Sequence, residues 1–183
     1  MFRNCLTVVS AIAIAIVSYF AVSSIAVSST NPDLSSSLPA SSLPKATISA
    51  ADQTAIYDLI PQDYAVSAGI TPGSFANARV LRQTELGPIY VIPGAKGGVC
   101  LALASSVGCN DGPTDKRLVI AALTEDASGN VVGGGLVNSA NTAIAIATVN
   151  GSQIRTKPTA GGFFIDSSQH VNSRDIKDLV PVG

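Results

Sequence analysis

Few residues in this chain are of types that support catalysis. His170 is the sole histidine among 183 residues, and it lies near Asp166 and several serines. Serine, histidine and aspartate are the components of a hydrolytic triad. The Gly-x-Ser-x-Gly turn that presents a nucleophilic serine is missing from the sequence. We therefore predict no catalytic residue and interpret His170 as an exposed loop residue, with an exported serine-type hydrolase as the alternative.

Cys100 and Cys109 are the cysteines that lie beyond the N-terminal region. Thiols that reach an oxidising compartment form disulfides. A redox-active pair normally has Cys-x-x-Cys spacing, and a zinc site needs more ligands than these two residues supply. We predict that Cys100 and Cys109 form a disulfide. Because the closed loop is short, the bond would contribute on the order of 2–3 kcal/mol to stability.

Two groups of oxygen-bearing side chains have residue types that calcium ions prefer. They are Asn110, Asp111 and Asp115, and then Glu125, Asp126, Ser128 and Asn130. Neither group has the spacing of a twelve-residue calcium loop, and both are typical of polar turns. The glycines at 133–135 match neither phosphate-binding pattern and indicate a bulge or a close approach of strands. We predict no metal ion and no cofactor.

The N-terminal region predicts the compartment. Residues 5–27 are apolar or small and carry no charge, and about 20 such residues suffice to cross a bilayer as a helix. Arg3 precedes this stretch, which favours an N-terminus inside the cytoplasmic membrane and the rest of the chain outside. The alternative is a signal peptide that is cleaved near Ala26. We predict contact with the membrane through residues 5–27 if the segment is not cleaved, and secretion if it is.

The rest of the chain divides into a linker and one domain. Residues 28–49 are rich in Ser and Pro, and Ser-Ser-Leu-Pro occurs twice in them. This composition predicts a flexible linker. Residues 50–183 have the length of one extracytoplasmic domain. In that domain nine Lys and Arg and eleven Asp and Glu are scattered singly. The absence of a basic stripe argues against nucleic acid as a partner.

The domain begins with helical signals and continues with strand signals. Ser49 is a helix-capping residue, Asp52 follows at the spacing of a capping box, and Pro61 ends the pattern. A second short helix is predicted at Gln62–Ala68. The strands are predicted at 79–84, 88–92, 99–104, 117–124, 130–137, 142–149, 152–157 and 162–166. We predict a mostly β fold, an antiparallel sheet or a small barrel or sandwich, with one or two short N-terminal helices.

The hairpin around Asn150-Gly151 has two possible registers. A two-residue loop would pair Ile146 with Arg155. A three-residue loop, Val149–Gly151, would pair Ile146 with Ile154 and leave Gly151 in the left-handed conformation. Since the buried face fixes the register of a strand, we predict the three-residue loop.

Several segments resemble an uncharacterised group of exported bacterial domains. They lie between about residues 68 and 166 and comprise Ile89–Gly94, Gly98–Leu101, Gly108-Cys109, Gly135–Asn138 and Val149–Gly151. The resemblance implies a small, mostly β, extracytoplasmic domain, and it brings no catalytic residue.

We therefore expect a non-enzymatic binding or interaction module outside the membrane. Its expected partner is an extracytoplasmic protein or a component of the cell envelope. A structural protein of the cell envelope is a further alternative.

Overall fold

A computed structural model describes residues 43–111, 119–137, 144–159 and 162–181. The helices are α1 (Ala50–Leu59) and α2 (Gln62–Ala68), followed by a 3-10 helix at Pro72–Asn77. The strands are β1 (Arg79–Thr84), β2 (Gly87–Pro93), β3 (Val99–Leu103), β4 (Ser106–Cys109), β5 (Val119–Glu125), β6 (Val131–Val137), β7 (Ile144–Thr148), β8 (Gln153–Arg155), β9 (Lys157–Thr159), β10 (Gly162–Ile165) and β11 (Ile176–Pro181). Short 3-10 helices at Ser167–Gln169 and Ser173–Asp175 lie between β10 and β11.

The strands form three antiparallel sheets. The helix-side sheet has the order β1-β2-β3-β4, the central sheet β5-β6-β10-β9, and the outer sheet β11-β7-β8. The prediction of a mostly β fold with short N-terminal helices is confirmed. Residues 5–27 lie outside the described part of the chain. Within the described part, no helix combines the length and apolar character needed to cross a membrane.

The core consists of three apolar layers. The first lies between the helices and the helix-side sheet. The second lies between the helix-side and central sheets, and the third between the central and outer sheets. Strand β3 shows how one strand serves two layers, because Leu101 and Leu103 face the second layer while Cys100 and Ala102 face the first. Every residue of β3 is buried, since side chains alternate across a sheet and both faces of this sheet are covered.

Helix α1 begins directly after the capping residue Ser49, as the sequence predicts. The Ser49 hydroxyl oxygen accepts a hydrogen bond from the Asp52 amide at 3.1 Å, and its O–H donates to the Asp52 carboxylate at 2.7 Å. The carboxylate thus contacts the capping hydroxyl, whereas a capping box would place it on the Ser49 amide. Helix α1 ends at Leu59, two residues before Pro61, and α2 has its predicted bounds.

The hairpin register is confirmed. Ile146 is opposite Ile154, and Ala145 is opposite Arg155. Gly151 has a φ of 85°, which is the left-handed conformation that the three-residue loop requires. The register buries Ile146 completely and leaves Arg155 exposed.

The predicted strand at 152–157 is divided in two by the structure. Residues 153–155 pair with β7 in the outer sheet, and residues 157–159 pair with β10 in the central sheet. Thr156 lies between the two and is buried, and its amide and hydroxyl both donate to the Ile144 carbonyl, at 2.9 and 3.0 Å. The chain therefore changes sheets at Thr156, which joins the two sheets covalently.

Two strands were not predicted from the sequence. Strand β4 was missed because it is only four residues long and contains Ser106 and Gly108. Strand β11 was missed because Lys177, Asp178 and Pro181 interrupt the alternation of apolar and polar residues. Both strands are specified by their neighbours, since β4 pairs with β3 and β11 pairs with β7.

Residues 43–49 lie against the helix-side sheet, although their composition predicts a linker. The Val80 amide donates to the Pro44 carbonyl at 2.9 Å, and the Ala46 amide donates to the Ala78 carbonyl at 3.0 Å. Ala46 is buried by these contacts. The packed structure therefore begins before residue 50, and the outer edge of β1 is covered where the strand begins.

The glycines at 133–135 mark a close approach of strands, as predicted. In β6 they lie between β5 and β10. A Cβ atom at Gly135 would overlap the Ile120 carbonyl and the Phe163 ring. Phe163 is directly opposite Gly135 and is completely buried. The glycine thus provides the space that this aromatic ring occupies in the third apolar layer.

The contact between α2 and the β2–β3 loop generates a stability prediction. A Cβ atom at Gly98 would overlap the Cα and Cβ atoms of Ala68. Gly98→Ala should therefore lower the free energy of unfolding by about 1–3 kcal/mol, the usual effect of overpacking. Urea denaturation followed by circular dichroism measures this change.

Gly73→Ala is the matched control, because the nearest atom to a Cβ there is the Thr71 hydroxyl oxygen at 3.5 Å. Its unfolding free energy should change by less than about 0.5 kcal/mol. Equal stability of Gly98→Ala and Gly73→Ala would contradict the packing of α2 against the loop.

Candidate functional site

Among the residues that the structure describes, His170 is not joined to a serine–histidine–aspartate triad. His170 is exposed and follows the 3-10 helix at 167–169 with a φ of 50°. Among the described residues, no hydrogen bond joins its imidazole to Asp166 or to a serine. The Asp166 carboxylate accepts from the Ser168 amide at 3.1 Å and also contacts the Ser168 hydroxyl and the Lys157 ammonium. Asp166 therefore caps the 3-10 helix, and its carboxylate contacts Ser168 and Lys157.

A serine–lysine pair is present that the sequence analysis missed. The Lys157 ammonium lies 3.2 Å from the Ser168 hydroxyl oxygen. A lysine that acts as a general base needs an apolar, unpaired setting. Here the ammonium forms an ion pair with Asp166, and the exposed fractions of the two side chains are 42% and 26%. Lys157 therefore belongs to a surface ion pair with Asp166, and Lys157 and Ser168 do not have the setting of a catalytic dyad.

The same region joins the helix-side sheet to the central sheet. The Glu85 carboxylate accepts from the Ser167 amide at 2.9 Å. The Arg82 guanidinium lies 4.3 Å from the centre of the Phe164 ring, a cation–π distance. We call Arg82, Glu85, Lys157, Phe164 and Asp166 the polar bridge. Its charged groups contact one another, the Phe164 ring, or the 3-10 helix at 167–169, and these contacts join the two sheets.

Two acidic groups of the polar bridge titrate below their ordinary range. The hydrogen bond from Lys157, and then that from Ser168, lower the pKa of Asp166. The backbone amide of Glu85 itself, and then the hydroxyl of Ser167, lower the pKa of Glu85. Both groups therefore stabilise the folded protein in their ionised form.

Of the two groups of oxygen-bearing side chains, the one at 125–130 includes a polar turn. Asp126 accepts from the Ser128 and Asn130 amides at 2.8 and 2.9 Å. The Asn130 amide, as the largest contribution, lowers the pKa of Asp126. Asn110 is buried, and Asp115 lies outside the described residues. In the described part of the chain, no three His, Cys, Asp or Glu side chains are grouped so as to hold a metal ion.

Cys100 and Cys109 lie opposite each other in β3 and β4. Their sulfur atoms are at disulfide bonding distance, and their Cα atoms are 4.1 Å apart. Both side chains are buried in the layer that faces the helices. The predicted pair is therefore brought together, at a position where it supports the helices and is shielded from reductants.

Asn110 closes the same hairpin beyond the disulfide. Its amide donates to the Val99 carbonyl at 3.0 Å, and its side-chain oxygen accepts from the Val99 amide at 2.6 Å. The residue is completely buried, and its Nδ2 has no hydrogen-bond partner within the described residues. This double contact fixes the start of β3 and hence the end of the β2–β3 loop.

The β2–β3 loop caps the C-terminal end of α2. The Lys96 ammonium donates to the Val66 carbonyl at 2.9 Å, and the Lys96 amide donates to the Ala68 carbonyl at 3.2 Å. The Ala95 amide donates to the Gly69 carbonyl at 2.9 Å. The last carbonyls of a helix have no partners within the helix, and a cation is favourable there. These three bonds hold α2 and the loop together as one surface.

A cleft of about 290 Å³ opens between α1, α2 and this loop. We call it the helix-hairpin cleft. Its lining residues are Tyr57, Gln62, Ala65, Val66, Gly69, Ile70, Thr71 and Lys96. Ala65 and Ile70 are buried and form an apolar floor. This site was not predicted from the sequence, because its residues come from α1, α2 and a loop that only the tertiary structure brings together.

The cleft combines an apolar floor with an exposed apolar rim. The Val66 side chain, on the rim, is 57% exposed. Gln62 and Thr71 supply uncharged polar groups, and Lys96 is the one charged residue among those that line the cleft. The lining of the cleft therefore offers apolar surface, uncharged polar groups and one ammonium.

Comparisons of the chain with protein-family models, with curated proteins and with solved structures gave no match.

The disulfide generates the first prediction from this site. Replacing both Cys100 and Cys109 by Ala should lower the free energy of unfolding by about 2–3 kcal/mol, because the bond restricts the unfolded chain. Urea denaturation with and without reductant measures this. The wild-type protein in reductant should match the double variant. Alkylation of non-reduced, unfolded wild-type protein should label Cys5 only, and labelling of Cys100 or Cys109 would contradict the bond.

The polar bridge generates a pH prediction. A carboxylate whose pKa is lowered on folding adds stability above its unfolded pKa of about 4, and this stability is lost as the pH falls through the folded value. Asp166→Asn should therefore be less stable than wild type at pH 7, by at most about 1 kcal/mol because the pair is partly exposed. The difference should vanish as the pH falls through the lowered pKa of Asp166 in the folded protein.

Asp58→Asn is the control for this measurement. Asp58 is exposed and has no hydrogen bond or ion pair among the described residues, so its substitution should leave the pH dependence of unfolding unchanged. If the free energies of unfolding of Asp166→Asn and wild type differed by the same amount at every pH, a stabilising role for the ion pair would be contradicted.

Proposed function

We propose that this chain is a non-enzymatic binding domain that is held outside the cytoplasmic membrane, or secreted, and that binds its partner through the helix-hairpin cleft. The main support for the proposal is the exposure of Val66, a large aliphatic side chain on the rim of a cleft that has a buried apolar floor. A partner that covered Val66 and filled the cleft would remove this apolar surface from water, which favours binding.

The rigidity of the cleft supports this proposal. Both walls are joined by the three hydrogen bonds between α2 and the β2–β3 loop. The buried disulfide and the Asn110–Val99 contacts fix the strands that carry the loop. A surface that is already ordered loses less conformational entropy when a partner binds.

The sheet edges at β1 and β11 offer less to a partner. Residues 44–46 cover the beginning of the β1 edge. At the outer strand β11, the Leu179 amide is already bound by the Asp178 carboxylate at 2.8 Å, and Pro181 has no N–H to donate. Charged residues and proline on an edge strand oppose the addition of another strand. The cleft is therefore a better candidate than strand addition at β1 or β11.

The location outside the cytoplasm rests on two independent features. The apolar stretch at 5–27 predicts export or anchoring, and a paired Cys100–Cys109 fits an oxidising compartment. Anchored through residues 5–27, the domain would meet partners of the cell envelope. Cleaved near Ala26, it would meet soluble ones.

Binding of the labelled full-length protein to isolated cell envelopes tests the proposal. We expect saturable binding that Val66→Gln weakens about fivefold or more, because part of the burial of an aliphatic side chain is lost. Val149→Gln is the matched control, since Val149 is also exposed, by 64%, but lies on the β7–β8 hairpin. Non-saturable binding, or equal binding by both variants and wild type, would overturn the proposal.

A further inference from the structure

Three cations lie in a row at the β1 edge of the helix-side sheet. A single β-bridge places Lys45 opposite Arg79. Arg79 in turn is opposite Val91, and Arg82 is opposite Ile89, and both of these β2 residues pack in the second apolar layer. Because directly opposed residues lie on the same face of a sheet, the three cations share one face. We call Lys45, Arg79 and Arg82 the basic row.

Within the described part of the chain, the basic row has no acidic partner. None of its three side chains forms an ion pair or a hydrogen bond with a carboxylate there. The carboxylates of the polar bridge are already engaged, since Asp166 is paired with Lys157 and Glu85 binds the 3-10 helix at 167–169. Like charges directly opposite each other destabilise a sheet, and Lys45 is exposed. An anionic group that contacted the row would therefore relieve a repulsion between its members.

The chain enters the described structure beside this row. Leu43 packs against the second apolar layer, and the Pro44 carbonyl accepts from the Val80 amide at 2.9 Å. The predicted membrane segment at 5–27 is separated from Leu43 by fifteen residues, 28–42. A flexible linker of that length has a root-mean-square span of about 20 Å. An anchored domain would therefore be held near the membrane at the edge that carries the basic row.

From these observations we infer that the basic row contacts anionic phospholipid headgroups of the membrane that holds residues 5–27. The inference rests on the anchored form of the proposed function, and it adds a second contact surface, since none of the three cations lines the helix-hairpin cleft. Each Lys or Arg close to an anionic membrane surface strengthens binding about fivefold. Because the linker keeps the domain beside the membrane, a weak contact of this kind is sufficient to orient it.

Amine acylation of the full-length protein in lipid nanodiscs tests this contact. One set of nanodiscs contains phosphatidylcholine alone, and the other contains phosphatidylcholine and phosphatidylglycerol in equal parts. After a soluble acylating reagent is added, mass spectrometry gives the rates at Lys45 and at Lys177, an exposed lysine of β11 in the outer sheet. We expect the rate at Lys45 relative to Lys177 to be lower by about threefold or more in the anionic nanodiscs. This protection of Lys45 should disappear at high salt, which screens the charges.

Arg79→Gln and Arg174→Gln are the matched variants. Arg79→Gln removes one cation of the row, so the protection of Lys45 should fall to less than about twofold. Glutamine keeps much of the aliphatic stem of arginine, so the variant should fold, and urea denaturation checks this. Arg174→Gln makes the same charge change in the 3-10 helix at 173–175 and should leave the protection unchanged. Val66→Gln should also leave it unchanged, because Val66 lies on the cleft.

The inference would be overturned by equal relative rates in the two kinds of nanodisc, by protection that persists at high salt, or by equal effects of Arg79→Gln and Arg174→Gln. A further arm adds a polyglutamate peptide to the protein in neutral nanodiscs, at the anionic charge concentration of the phosphatidylglycerol. If the peptide protected Lys45 as strongly as the anionic nanodiscs do, the row would be assigned to an acidic polypeptide and the inference would be wrong.

The binding of labelled protein to cell envelopes separates this inference from the proposed function. If Lys45 were not protected but Val66→Gln still weakened saturable envelope binding, the proposed function would stand and only the membrane contact would be wrong. If Lys45 were protected but envelope binding did not depend on Val66, the membrane contact would stand and the role of the cleft would be wrong.

Discussion

The close approach of α2 to the β2–β3 loop is the contact on which the rest of this structure depends. Gly94 and Gly98 allow the loop to reach the backbone of Ala68, where any Cβ atom would overlap it. At that distance the loop satisfies the last carbonyls of α2 through the Lys96 and Ala95 donors. A seven-residue helix has little stability of its own. The loop therefore supplies much of what keeps α2 in place.

The remaining architecture extends from this contact in layers. The Cys100–Cys109 pair and Asn110 fix β3 and β4 behind the loop. Strand β3 then buries its other face against the central sheet. The central sheet in turn packs on the outer sheet, and the Phe163 ring in this layer occupies the space that Gly135 leaves. Each sheet is thus covered by the next, and the helix layer is the place where exposed aliphatic side chains lie beside a cleft.

The sequence predicts those parts of the fold that local chemistry specifies. Ser49 and Pro61 delimit α1 because capping and proline act within a few residues, and the burial of Ile146 specifies the hairpin register. The change of sheets at Thr156 was not predictable, because it depends on which strands lie on either side. The helix-hairpin cleft was missed for the same reason, since Lys96 is thirty residues from Val66 in sequence and meets it only in the folded chain.

Hydrogen exchange at the Ala95 and Lys96 amides tests most directly whether α2 and the loop form one preformed surface. Both amides donate to carbonyls at the end of α2, so the account predicts that they exchange as slowly as the amides of β2 and β3. In Gly98→Ala the same amides should exchange faster, while those of the outer sheet keep their protection. If Ala95 and Lys96 exchanged in the wild-type protein as fast as the exposed hairpin residue Asn150, the loop would not hold the helix, and the account of the cleft would be contradicted.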